Sequence, residues 1–146
     1  MSWETATLSS TTSIAAIDSE INQLTSGNWN DKISLAKKII GRDLENKLTR
    51  NNYSVDEAGG DVLLDIIANP QSLDLSSDYL TLHLIYADLA ITLGRESYWQ
   101  KAEFYRQEYG RHLNTALQAL NIDCDGDGNP EKYRANLFTS GRINRS

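Results

Sequence analysis

The sequence predicts a mainly α protein, a compact bundle of four to five helices followed by an extended C-terminal arm. Three observations predict it. Apolar side chains recur at three- and four-residue steps in several separate stretches, which places them on single helical faces. No stretch of the body alternates strictly between apolar and polar residues, as a half-buried strand would. The composition breaks once, at Asp123, so residues 1–122 read as a helical bundle domain and 123–146 as an acidic turn with an extended docking arm. A chain of 146 residues supports one core and seldom two.

Ile14, Ile17, Ile21 and Leu24 follow a Ser/Thr-rich stretch that offers N-caps, and they read as one short amphipathic helix ended by Gly27. A second helix is expected from Asn30-Asp31, with Ile33, Ala36, Ile40, Leu44 and Leu48 on one stripe and Asn51-Asn52 as its stop. Ser54 and Glu57 have capping-box spacing, but Gly59-Gly60 interrupts them, leaving Asp61 to Ala68 as the firm part of a third element closed by Pro70. Ser76-Ser77-Asp78 offers a cap and an acidic first turn to a central helix whose Leu80, Leu82, Leu84, Ile85, Leu89 and Ile91 cover several faces. Gly94 breaks that pattern. From about Glu96 a long helix runs to Leu120, with Ala102, Tyr105, Tyr109, Leu113, Ala116 and Leu120 along one stripe.

Composition narrows the function. Hydrophobic residues form 40% and charged residues 23% of the chain, a balance that supports folding rather than disorder. No apolar run reaches the roughly 18 to 20 residues that a membrane span needs, and MSWETATLSSTT lacks a basic region followed by an apolar one, so no export signal and no membrane partner are expected. Cys124 is the single cysteine, which rules out an internal disulfide and agrees with a reducing cytoplasm. The net charge of −6 is unevenly placed: residues 1–122 carry 10 Lys/Arg against 16 Asp/Glu, whereas Tyr133 to Ser146 has Arg134, Arg142 and Arg145 and no acid. An acidic body repels a phosphate backbone, which argues against a nucleic-acid grip. The basic tail is suited to an acidic protein surface.

Asp123, Asp125, Asp127 and Gly128 fill positions 1, 3, 5 and 6 of an EF-hand-like loop, and Glu131 stands at position 9. Position 12, which calcium needs as a bidentate acid, is Arg134. The same residues also make a turn, because Asp side chains bond local backbone and Gly takes positive φ. Calcium is therefore the one cofactor to consider, with a plain chain reversal as the simpler reading. Cys124 has no second thiol or neighbouring His for a soft metal. His83 and His112 lie on separate helices, no nucleophile–base spacing stands out, and neither phosphate-cradling glycine motif is present, so no enzyme and no catalytic residue are expected.

Two features point to protein contacts. Tyr98, Trp99, Phe104, Tyr105 and Tyr109 are too dense on the last helix to share one stripe, which makes Tyr98, Trp99, Tyr105 and Tyr109 candidates for an oligomer interface as well as for core packing. The segment Tyr133 to Ser146 holds Tyr133, Leu137, Phe138 and Ile143 amid arginines. It either packs on its own domain or reaches up to roughly 46 Å, at about 3.3 Å per residue, to dock on a neighbour.

The helix WNDKISLAKKIIGRDLENKL, the Tyr- and Leu-rich pair DYLTLHLIYADLAITLGRESYWQKAEFYRQEYGRHLNTAL, and the D-x-D-G-D-G turn before an Arg-tipped tail together resemble the head-to-tail adaptor proteins of tailed bacteriophages, also called head completion or connector proteins. That resemblance implies a structural virion protein of the neck, assembled in the host cytoplasm as a ring, typically twelvefold, between the portal and the next neck or tail protein. Genomic DNA would pass through without specific binding. It also implies that Tyr133 to Ser146 is the arm that docks on the portal, with Leu137, Phe138 and Ile143 as anchors, Arg134, Arg142 and Arg145 as ionic partners, and the aspartate turn as elbow. The competing expectation is a calcium-responsive helical module in which Asp123, Asp125, Asp127 and Glu131 order the tail for a partner.

Overall fold

The computed structural model describes residues 3–24, 29–50, 64 and 67–122. Among them are five α-helices: α1 (Thr11–Ile17), α2 (Ile21–Leu24), α3 (Asn30–Arg50), α4 (Asp74–Leu93) and α5 (Glu96–Ala119). A 3-10 turn, Pro70–Leu73, leads directly into α4. No strand forms among the described residues; an isolated antiparallel bridge joins Ile67 to Ile122. The mainly α bundle expected from periodicity is the architecture observed.

α4 and α5 form the central antiparallel hairpin. Gly94 makes the reversal possible: at φ 66, ψ 25 it is left-handed, and its N–H donates to Ala90 O at 2.8 Å. α3 lies beside α4 in the opposite direction, as the Lys32–Asp88 pair at 3.5 Å near the start of α3 and the end of α4 shows. α4 therefore has neighbours on more than one side, which explains why its apolar residues encircle it instead of forming one stripe.

Three expected boundaries move. The single helix expected across Ile14–Leu24 is split, because Asp18 adopts an extended backbone (φ −140, ψ 94) and closes α1 by donating its N–H to Ile14 O. At its other end α1 has a reciprocal capping box, with Ser10 Oγ accepting from Ser13 N and Ser13 Oγ accepting from Ser10 N. Pro70 opens an element instead of closing one: it sits in the first turn of the 3-10 segment, where a missing N–H costs nothing. Ser76, Ser77 and Asp78 do not cap α4, which already begins at Asp74; they are buried within its first turns. Of the expected Asp61–Ala68 element, Leu64 and Ile67–Ala68 are described, and Ile67–Ala68 is not helical, since Ala68 N donates to Asn121 O at 2.8 Å.

The core has two parts. One gathers Leu8, Ile40, Leu44, Leu48, Leu73, Leu80, Leu117 and Leu120 where α3, α4 and the end of α5 meet. The other gathers Ile14, Ile21, Trp29, Ile85, Tyr86, Tyr98 and Tyr105 around the opposite end of the hairpin. The segment before α1 crosses α3, held where Lys37 Nζ donates to Glu4 O (3.0 Å) and Ala6 O (2.7 Å) and where Trp3 packs on Gly41. At the far end Asn69 works as a side-chain cap for α5: its Nδ2 donates to Ala119 O at 3.1 Å and its Oδ1 accepts from Asn121 N at 2.7 Å. Ile122, fully buried, is the last described residue.

Candidate functional site

The extended backbone at Asp18 turns its carboxylate into the protein, where the side chain is only 6% exposed. Oδ2 accepts from Tyr105 OH at 2.7 Å, Tyr86 OH at 2.9 Å and Lys101 Nζ at 2.9 Å, while Oδ1 accepts from Glu20 N at 3.0 Å. Lys101 Nζ also reaches Glu20 Oε1 at 2.6 Å and Tyr86 OH at 3.3 Å. Burial works to raise the Asp18 pKa, but the donors from Lys101, Tyr105 and Tyr86 outweigh it and hold the carboxyl below its ordinary value. Burial works to lower that of Lys101, and its bonds to Asp18 and Glu20 raise it instead. Both phenols are pushed up, first by burial and then by their bonds to Asp18. Asp18, Lys101, Tyr86 and Tyr105 are thus held in their neutral-pH ionic forms. The cluster clamps the α1–α2 junction onto α4 and α5 and has no group poised to exchange protons.

A second polar cluster lies at the start of α4. Ser13 Oγ donates to the buried Asp78 Oδ1 at 2.7 Å, and Ser9 Oγ donates to Ser77 Oγ at 2.8 Å. Burial raises the Asp78 pKa and the Ser13 hydroxyl partly offsets this. Asp74, one turn earlier, is pushed up to about 6 by burial and by the negative charge of Asp78. Its Oδ1 is buried without a hydrogen-bond partner. This pair stores electrostatic strain at neutral pH.

The third feature faces outward. Ile91, Leu93, Trp99 and Phe104 are 71%, 52%, 46% and 55% exposed, and they all fall between residues 91 and 104, around the α4–α5 turn. Trp99 and Phe104 line an open pocket of about 420 Å³ on α5 together with Glu96, Gln100, Glu103 and Gln107. A second pocket of about 400 Å³ adjoins it, sharing Gln100 and Phe104 and reaching Lys101 and Glu20.

The four interface candidates separate on this geometry. Tyr98 and Tyr105 are buried at 6% each, and Tyr109 packs against the core with its hydroxyl buried, so these three face inward. They lie on the face that carries Ala102, four residues from Tyr98 and three from Tyr105, and this face meets α4. Only Trp99 of the four is outward, and Phe104 is its outward companion. The arm residues Tyr133, Arg134, Leu137, Phe138, Arg142, Ile143 and Arg145, and the calcium candidates Asp123, Asp125, Asp127 and Glu131, lie outside the described residues. Among the described residues no three His, Cys, Asp or Glu side chains converge as a metal site, and no helix is long and apolar enough to cross a membrane. His83 Nδ1 lies 2.9 Å from Ala102 O, and His112 stacks on Tyr79 at 4.9 Å, so each has its own local partner.

Sequence reasoning missed the Asp18 clamp altogether. Its partners are 68, 83 and 87 residues away, and no short-range spacing carries that signal. No protein-family profile matches the chain, no curated protein matches it, and no solved structure matches it. The fold and these surfaces define, among the described residues, a mainly α unit built around a clamped helical hairpin with exposed apolar residues near its turn.

Proposed function

We propose that this chain is a structural assembly protein, a head-to-tail adaptor of a tailed-phage neck, which rings between a portal and the next neck or tail protein. The observation that carries the proposal is the apolar tip. Of the six exposed large apolar side chains among the described residues, Ile91, Leu93, Trp99 and Phe104 fall around the turn of the hairpin, with Leu35 and Leu75 elsewhere, and exposed apolar residues of this size are favoured for protein contacts. A closed ring needs two different complementary patches on each copy. The tip of α4–α5 supplies one, and the Arg-bearing segment after Ile122 serves as the portal arm. Asn69 fixes the chain at Asn121, shortly before the aspartate loop in sequence. The acidic body suits a channel wall that DNA passes without counterion-releasing contacts.

The test is native mass spectrometry of the chain mixed with a cognate portal, with and without calcium, alongside a version lacking residues 133–146 and an Ile91→Ser/Leu93→Ser variant. A ring-sized complex that requires the arm and the tip, and ignores calcium, is the expected result. Absence of portal binding together with stoichiometric retained calcium overturns it in favour of a metal-switched binding module.

A further inference from the structure

Asp74 and Asp78 stand four residues apart in the first turns of α4, which sets both carboxylates on one face of the helix. Asp78 is buried, and the Oδ1 of Asp74 is buried with no hydrogen-bond partner. No ion pair among the described residues includes either of them. The elements packed around this turn bring hydroxyls and charges that are already engaged. From α1, Ser13 Oγ donates to Asp78 Oδ1 at 2.7 Å. The segment before α1 brings Ser9 Oγ, which donates to Ser77 Oγ at 2.8 Å, and Glu4, which lines the same pocket as Ser9 and Ser77. α3 brings Lys37 to that pocket, where its ammonium donates to Glu4 O and Ala6 O. α5 brings His112, stacked on Tyr79 and 3.6 Å from Glu108.

Two like charges one turn apart and partly covered destabilise each other most when both are ionised. A proton on Asp74 removes the repulsion and leaves Asp78 as the lone anion of the turn, held by the Ser13 hydroxyl. Without that proton the relief available is water, and water reaches Asp78 once α1 lifts away from α4.

We propose that Asp74 and Asp78 form a proton-operated latch for residues 3–17: a proton on Asp74 keeps α1 docked on α4, and its loss as pH rises loosens α1 and the segment before it. Burial and the charge of Asp78 put the Asp74 transition at about 6 in the docked state, above the ordinary 3.8 that a hydrated carboxyl regains on lifting. The docked state therefore binds the proton more tightly, and docking weakens as pH rises from about 4 to about 6. Lifting uncovers apolar surface, because Trp3 and Leu8 leave the core beside α3, and Ile14 leaves the core around the hairpin. The latch stands on this chain alone and does not rest on the adaptor reading.

The experiment is native-state hydrogen exchange of the full chain and of full-length Asp74→Asn at pH 4 and pH 7. Taking the ratio of the two chains at each amide cancels the intrinsic exchange chemistry. Ala6, Ile14 and Asp18, whose N–H groups donate to Trp3 O, Ser10 O and Ile14 O, report the segment, and Ile40, fully buried in α3, reports the deepest opening. The expected result is that the three segment amides exchange faster than Ile40 in the parent, so the segment opens by itself. At pH 4 parent and variant agree; at pH 7 the parent exchanges roughly fivefold faster at those three amides. Asp78→Asn, which keeps an acceptor for Ser13, also removes the rise with pH. A parent-to-variant ratio of one at pH 7 overturns the latch, whether neither chain responds to pH or both respond equally; in the second case another group, His112 included, is the sensor. Segment amides as protected as Ile40 overturn it too, because α1 then leaves only when the whole protein unfolds.

Discussion

Asp18→Ala should be among the most damaging single substitutions in the described part of the protein. The buried carboxylate has three side-chain donors and one backbone donor, at 2.7 to 3.0 Å. Each bond to a charged acceptor is worth about 1.5–3 kcal/mol, but they share one group and do not add. Lys101 retains Glu20 at 2.6 Å and keeps 36% side-chain exposure, so its charge is not stranded. The loss is that of several bonds to one charged acceptor, with the buried Tyr105 hydroxyl left unpaired, about 2–4 kcal/mol, and lowers Tm by on the order of 10 °C for a chain of this size. Urea unfolding followed by circular dichroism at pH 7 measures it, with Tyr105→Phe as the second arm of a double-mutant cycle. Tyr105→Phe should cost about 1.5–3 kcal/mol in the parent and clearly less in the Asp18→Ala background. A loss below about 1 kcal/mol for Asp18→Ala, or a Tyr105→Phe cost unchanged between backgrounds, would refute the clamp. The pH dependence carries a second check. Since the folded pKa of Asp18 lies below 3.8, its contribution is complete above that value and disappears as pH falls through the folded pKa. The gap between parent and variant should therefore narrow in acid.

Asp74 behaves in the opposite sense. Its folded pKa of about 6 exceeds 3.8, so the folded state holds the extra proton and parent stability falls as pH rises from about 4 to about 6. Asp74→Asn should remove that slope and raise stability at pH 7 by about 1 kcal/mol, a figure reduced for the group's partial exposure; urea midpoints at pH 4 and pH 7 measure it. Gly94→Ala meets no atom within 4 Å, so its cost comes from the backbone at φ 66: about 1 kcal/mol by urea unfolding, with Gly94→Asn costing less.

The long helices were legible because length and stripe agreed. α3 and α5 each run beyond 20 residues with apolar positions on one face, and Gly94 marks the break between α4 and α5. The short elements were not legible, for a definite reason in each case. The split at Asp18 is imposed by tyrosines and a lysine from α4 and α5, and local sequence contains only an Ile14–Ile17–Ile21 spacing that favours continuity. Pro70 reads as a stop after an apolar run and equally as a first-turn residue; the second holds, with Ile67 bridged to Ile122 and Ala68 bonded to Asn121 outside any helix. Within the aromatic segment the answer lay in the stripe itself. Tyr105 and Tyr109 stand on the face that carries Ala102, Leu113 and Ala116, and Tyr98 is four residues before Ala102, so all three were due to face inward. Trp99 and Phe104 are off that face. The arm and the aspartate loop remain sequence proposals, since neither lies among the described residues.

This division of α5 determines how any interface experiment on the protein must be read. Tyr98 packs in the core, and Tyr105 does so while bonding Asp18, so removing either ring weakens the clamp and the hairpin together. Loss of association in such a variant carries no information about surfaces. Trp99 and Phe104 lie on the same helix but are about half exposed, Phe104 with one edge-on contact to Tyr105. Replacing both with Ser should leave the melting transition within about 1 kcal/mol of the parent. If that variant keeps its melt and loses assembly, the outer face is the contact surface. If the melt collapses with assembly, the two rings belong to the core and the apolar tip loses half of its members, which removes the observation on which the adaptor reading rests.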